Sequence, residues 1–453
     1  MKGKLTRGIE IKKVHGSAGS NAHRVERNRM LVVGVFTLLV LSALAAFTVQ
    51  SQQKNIMAWD EKVVGNTGKN VQSESGEMKG ITHAPIHING NADFANQAQQ
   101  EGWAGDGTQV NPYIIEGYDI NGNGGTYCIW IENTDVWFVI RNCKVWNATG
   151  TASEPYGTGI YLKNVQHGKL ENNDCSGNSA DGIYLYSSSN NSILNNTCSS
   201  NSDDGIDLYS YGSPSSNNAI QNNTCTGNSG AGIDIHGSTA TPSSNILISN
   251  NTCSGNRYDG ISLFCSSNDV ITNNTCSYNS EFGICLFEAC NNNIITNNTF
   301  YHNIQHGIAI SYYITPPAGN IIHHNYFYQN NGAGRGVNGN CQAYDNAGGN
   351  TWYDNTAQEG NYWSNWDGNG WGTPSAYPIA GGAGAYDMYP LRRTHGPIHI
   401  NGNADFANQA SANGWPGNGT QGNPYIIGGY VIDGNGGTYC IWIENTNVWF
   451  VVE

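Results

Sequence analysis

The sequence predicts an all-β chain folded as a right-handed parallel β-helix, a solenoid of about nine coils. Three observations predict it. From Gly159 the pair Gly-Ile returns at Gly182, Gly205, Gly232, Gly260, Gly283 and Gly307, in steps of 23, 23, 27, 28, 23 and 24 residues. Each pair is followed by one variable residue and then Leu or Ile (Leu162, Leu185, Leu208, Ile235, Leu263, Leu286, Ile310), so two apolar side chains face one side of a short strand. In phase with these runs the phrase Ile-x-Asn-Asn-x-Cys, whose cysteines form the column Cys175, Cys198, Cys225, Cys253 and Cys276.

That column extends back to Cys143 and passes to Phe300 and Phe327 without disturbing the period. Phe replaces Cys only where the site is apolar and buried, since free Cys behaves as a small hydrophobe. The paired Asn columns (Asn172/Asn173, Asn195/Asn196, Asn222/Asn223, Asn250/Asn251, Asn273/Asn274, Asn297/Asn298) suit turns. Asn tolerates the left-handed conformation, and stacked amides bond from coil to coil. Leucine-rich solenoids need a Leu-rich half and often a helix, absent from the pattern of 127–353, and propeller blades need about 40 residues.

An open solenoid must cover its strand edges. Asp93 to Gly102 reads as a short N-terminal capping helix, with Asp near its start and Gly at its stop. Asn361-Tyr362-Trp363-Ser364-Asn365-Trp366 and Tyr386 to Leu391 supply aromatic bulk for the far cap. The chain then restarts: Pro397 to Val452 repeats Pro85 to Ile140 at a constant offset of 312. Since the copy stops inside its first coil, residues 397–453 read as a truncated second module of a longer tandem array. It exposes an apolar edge, so the segment is expected to be loosely ordered, to lean on the first module or to drive self-association.

Only 12% of residues are charged, 58 are Gly, and the net charge is −14. Eight of the 20 Lys and Arg precede residue 30, so the remainder is more acidic still, which excludes nucleic acid and favours cations and neutral sugars. Residues 1–30 read as a basic cytoplasmic segment. Leu31 to Val49 carries no charge and is long enough to cross a bilayer. An uncleaved anchor is favoured over a cleaved signal ending near Ala43-Leu44-Ala45, and either exports the rest, giving an extracellular protein tethered to the membrane or secreted. Residues 50–83 read as a polar tether, 84–391 as the β-helix module with its caps, and 392–396 as a linker.

Gly105-Asp106-Gly107-Thr108-Gln109-Val110-Asn111-Pro112-Tyr113, the Gly-Ile-x-Leu coils and the closing Gly360-Asn361-Tyr362-Trp363 resemble the NosD-like right-handed β-helix repeat proteins, over about 84–391 and again from 396. The resemblance looks closest to exported archaeal members with tandem modules. It implies fold, compartment and a leaning toward saccharides; it implies no reaction, because function resides in sites and not in folds. The segment Trp366-Asp367-Gly368-Asn369-Gly370-Trp371 has lost most of the acids usual there, which counts against cap-bound calcium.

Stacking the coils aligns two outward columns: Tyr161, Tyr184, Asp207, Asp234, Ser262, Cys285, Ala309, and Lys163, Tyr186, Tyr209, His236, Phe264, Phe287, Ser311. Aromatic faces beside acids suit sugar rings, so Tyr161, Tyr184, Tyr186, Asp207, Tyr209, Asp234, His236, Phe264 and Phe287 are the candidate carbohydrate contacts. Cross-strand packing of exposed aromatics is the competing explanation. Asp207 and Asp234, one coil apart, with Asp204 and Asp181 at the same edge, are the catalytic candidates of a polysaccharide hydrolase or lyase, or the holders of a calcium ion. Lyase chemistry wants a basic residue, and the strip offers only Lys163.

The leading reading is therefore a non-catalytic glycan-binding or adhesive surface protein. A polysaccharide-active enzyme is the alternative, and a purely structural envelope array the third. No cofactor or metal is assigned: His323 and His324 are adjacent and so should point to opposite faces of a strand. Cys265 and Cys290, off the column on adjacent coils, are the expected disulfide. Asn195, Asn222, Asn250, Asn273 and Asn297 match the N-glycosylation pattern.

Overall fold

A computed structural model describes residues 80–150, 154–332, 340–366, 376–391, 393–395, 397–413, 415, 417–427, 430–432 and 438–452. The candidate membrane segment Leu31 to Val49, the basic segment before it and the tether up to residue 79 lie outside these. Among the described residues no helix is long and apolar enough to cross a membrane.

The repeat folds as expected, with the coil count raised. Sheet A stacks ten parallel strands from Ile86–Asn89 to Ala343–Asp345, sheet B nine from Tyr113–Glu116 to Ile321–His323, and sheet C six from Thr224–Thr226 to Tyr362–Trp363. Pairing is in register coil on coil: Ile183 lies beside Ile206, Ile206 beside Ile233, and Cys225 beside Cys253. Every Ile and Leu of the Gly-Ile-x-Leu strands is fully buried, as is the cysteine column with Phe300 and Phe327. Like side chains above like thus build one continuous apolar core.

The structure divides the paired asparagines by role. The first of each pair, from Asn172 to Asn297, takes φ of 56–58°, the left-handed turn. The second is buried and forms a ladder: the Asn223 amide donates to Asn251 Oδ1 (3.0 Å) and Ile193 O (2.9 Å), and Asn223 Oδ1 accepts from the Asn196 backbone N–H (2.8 Å). A second ladder, Asn178, Asn201, Asn228, Asn256, Asn279, Asn303 and Asn330, repeats the device at another corner. These amides satisfy backbone groups that the turns would otherwise leave buried and unpaired.

Helix α1 (Asn91–Glu101) caps the N-terminal end, burying Phe94 and Ala98 and stopping at left-handed Gly102. The module starts earlier than residue 84, because Ile81–His83 pairs with Tyr118–Ile120. Its counterpart Arg393–His395, read above as linker, pairs with Tyr430–Ile432. Only Thr and His survive between these two strands, which hid the extension of the repeat. The second copy repeats helix and coil, with helix α2 (Asn403–Asn413) and a small core of Ile398, Ile400, Phe406, Ala410, Trp415 and Ile427. It leans on the first module: Ile426 is buried in a cluster with Tyr301, Tyr326, Tyr328 and Tyr362. Its open coil leaves Phe450 39% exposed, whereas the next coil buries the matching Phe138 completely.

Candidate functional site

The outward face of sheet A carries the two columns as expected, in register. Tyr184 lies beside Asp207, Asp207 beside Asp234, and Tyr186, Tyr209, His236, Phe264 and Phe287 follow one another. Asp204, Asp207 and Asp234 bring carboxylate oxygens within 4.8 Å of one another, and Asp181, Asp203 and Asp204 form a second such group. The four candidate aspartates lie together, with Asp203 at the same edge, where its place in the repeat also puts it.

The cause is positional. Asp181 and Asp204 each precede the Gly of a Gly-Ile strand, and each carboxylate accepts a backbone N–H of the following coil: Asp204 N to Asp181 Oδ1 at 3.0 Å, Ala231 N to Asp204 Oδ1 at 2.5 Å. Asp259 holds the same place and accepts from Phe282 N at 2.9 Å. Asp259 was not among the expected residues; its position before Gly260, shared with Asp181 and Asp204, was the signal. Among the described residues no Lys or Arg forms an ion pair with the group. His236 Nδ1 stands 4.0 Å from Asp234 Oδ2, and Lys163 is held by Glu154 at 2.9 Å. Burial, then the charge of neighbouring aspartates, pushes Asp181 up to about 8 and Asp207 well above the usual carboxylate range. Burial likewise raises Asp204, Asp234 and Asp203, and takes Asp259 to about 7. Asp207 Oδ1 is shielded from solvent without a hydrogen-bond partner.

The aromatic column departs from expectation. Tyr209 and His236 stack at 5.0 Å and 27°, His236 and Phe264 at 4.6 Å and 11°, Phe264 and Phe287 at 5.7 Å and 29°, Tyr186 and Tyr209 at 5.9 Å and 26°. In-register stacking at the coil spacing turns ring faces toward one another, so edges and hydroxyls look outward. Tyr161 is not on the surface: it is fully buried, its hydroxyl bonded to Glu154, with Tyr184 stacked on it at 5.1 Å. Tyr211 and Tyr313, 67% and 86% exposed, project beside the two ends of the ladder and were not foreseen, since both lie in turns.

No disulfide joins Cys265 and Cys290. Both thiols are free and buried. Cys265 sits at φ 49°, which breaks the alternation that the register argument assumed, and the Cys290 thiol donates to Leu263 O at 3.3 Å. The five glycosylation candidates are all exposed at their turns.

Residues 210–368 match the family described as periplasmic copper-binding protein (NosD), and residues 103–243 match the right-handed β-helix region. No curated protein matches the chain. Among solved structures, it is similar to the A-module of a mannuronan C-5 epimerase of Azotobacter vinelandii: 16% identity, TM-score 0.42, 53% of this chain and 64% of that one, under two thirds of its length. It is also similar to an alginate lyase of Paenibacillus sp. str. FPU-7 (15%, 0.42, 59% and 99%) and to a surface adhesin of Streptococcus pneumoniae (12%, 0.36, 46% and 71%).

Stacked parallel coils with in-register ladders define a parallel β-helix repeat protein. With the two matched regions, the chain is a NosD-like right-handed β-helix repeat protein. The family description implies copper, which takes imidazole nitrogen or thiolate sulfur. The cysteine column does not fit that role: Cys198, Cys225 and Cys253 are fully buried, and their thiols are raised well above the usual value, hence protonated.

Proposed function

We propose that the outer face of sheet A binds a neutral polysaccharide at the cell exterior without cleaving it. The carrying observation is the juxtaposition of the half-buried ladder from Tyr186 to Phe287 with the carboxylate group around Asp204. Carboxylates accept sugar hydroxyls, ring edges and the projecting Tyr211 and Tyr313 supply apolar contact, and stacked coils repeat the subsites along an extended chain. A polyuronate is disfavoured, because the strip has five clustered aspartates against the paired Lys163 and His236. A calcium ion, which would displace the protons these carboxyls retain, belongs to the same reading. The chain's export, by anchor or by signal, is the compartment this reading needs.

One observation favours hydrolysis as a second reading. Raised carboxyls keep protons at neutral pH, as a general acid must, and the oxygens approach within the separation that retaining glycosidases use. A glycan array on the full chain, with assays for reducing sugar and for unsaturated products, separates the readings. Binding without product supports the first, reducing sugar the second, and no binding with no product refutes both.

A further inference from the structure

His323 and His324 do not point apart. His323 ends the last strand of sheet B, Ile321–His323, but His324 lies at φ 57°, in the left-handed turn. The alternation of a strand stops there, and the two imidazoles meet with Nδ1 atoms 2.5 Å apart. His324 stands in the first-Asn column: Asn172, Asn195, Asn222, Asn250, Asn273 and Asn297 fill the same turn at φ 56–58° in the coils before it. Asn is the residue that adopts this conformation most cheaply after Gly. Histidine here replaces the better turn former at one coil alone, next to a second histidine.

The surroundings fix the His324 ring. Its backbone N–H donates to Gly360 O at 2.6 Å, and its Nε2 lies 2.7 Å from the Glu359 carboxylate. Glu359 is held in turn by the paired backbones of Asp354 and Glu359 (2.7 and 3.3 Å). A carboxylate on Nε2 makes that nitrogen the N–H and leaves Nδ1 with its lone pair. Without an ion, His323 Nδ1–H fills the gap. Moving that proton to His323 Nε2 is a tautomer change that leaves the ring neutral and turns a second lone pair inward. An ion held at about 2.0–2.1 Å from each nitrogen needs them roughly 3 Å apart, a small opening of the pair. Thr296 Oγ1 is 3.5 Å from His323 Nδ1, and the His324 side chain is 29% exposed, so solvent completes the coordination.

We propose that His323 Nδ1 and His324 Nδ1 hold a late first-row divalent metal ion, with Glu359 orienting His324 from behind. Imidazole suits this class, whereas the oxygen-only aspartate group of sheet A suits Ca2+. The test is calorimetric titration of Zn2+ into the full chain in excess Ca2+, on a Cys440→Ser background, since Cys440 is the exposed thiol among the described cysteines. His324→Asn restores the residue of the preceding coils and should keep the melting temperature unchanged or higher. It should abolish one binding event, as should His323→Ala; Glu359→Gln should weaken it by about tenfold or more. An isotherm unchanged in His324→Asn overturns the site.

Discussion

The aspartate group makes the stability of the module depend on pH in a direction opposite to that of most carboxylates. Unfolded Asp titrates near 3.9, whereas folded Asp259 and Asp181 are raised to about 7 and about 8, with Asp204 and Asp207 also shifted up. The native state therefore holds protons that the unfolded chain has released. The stability contributed by these groups is complete below about pH 4 and is lost as pH rises through the folded values. Two charges 4.8 Å apart repel by about 3 kcal/mol at an effective dielectric constant of 20. Asp207→Asn removes such a charge next to both Asp204 and Asp234. Because the group already sheds repulsion by retaining protons, the net gain at pH 8 is on the order of 2–4 kcal/mol rather than the sum over pairs. At pH 4 the wild-type carboxyl is neutral and the substitution should change little. Denaturant unfolding of both proteins between pH 4 and 8 reads this directly. Equal effects of Asp207→Asn at the two ends, or a wild-type stability that rises toward pH 8, would refute the electrostatic account.

Asn223→Ala should cost about 2–5 kcal/mol, because it leaves the buried Asn196 N–H without its acceptor and removes a donor from Ile193 O, while Asn222→Gly at the exposed left-handed turn should cost a few tenths; paired chemical denaturation compares them. Thiol labelling of the native protein should modify Cys440 rapidly and miss Cys198, Cys225 and Cys253 until unfolding; rapid native reaction of those three would show the column open to solvent. Deleting 393–453 should leave the first module folded with its melting temperature nearly unchanged, while uncovering Tyr301 and Tyr326 to solvent, as tyrosine absorbance would register. Unfolding of residues 81–391 on that deletion would make the second copy an integral part of the domain.

The solenoid, its core and its register are all legible in the amino-acid order. Those follow from periodic apolar residues whose spacing admits one stacking solution, which places Ile183, Leu185 and Cys198 inside. The same order also brought Asp207 and Asp234 together, since position in a repeat is position in space. Folding in three dimensions settles the remainder, which lies where the repeat is broken or completed by a distant segment. Glu154 closes over Tyr161 from a stretch with no counterpart in other coils. The ring faces of the ladder are taken up by their neighbours, a consequence of side-chain torsions that spacing does not specify. Cys265 and His324 sit at positive φ, so alternation misplaced both, parting one expected pair and joining two rings expected to diverge. Periodicity fixes which residues stack; turns and insertions, whose backbone leaves the strand conformation, fix where the unrepeated side chains go.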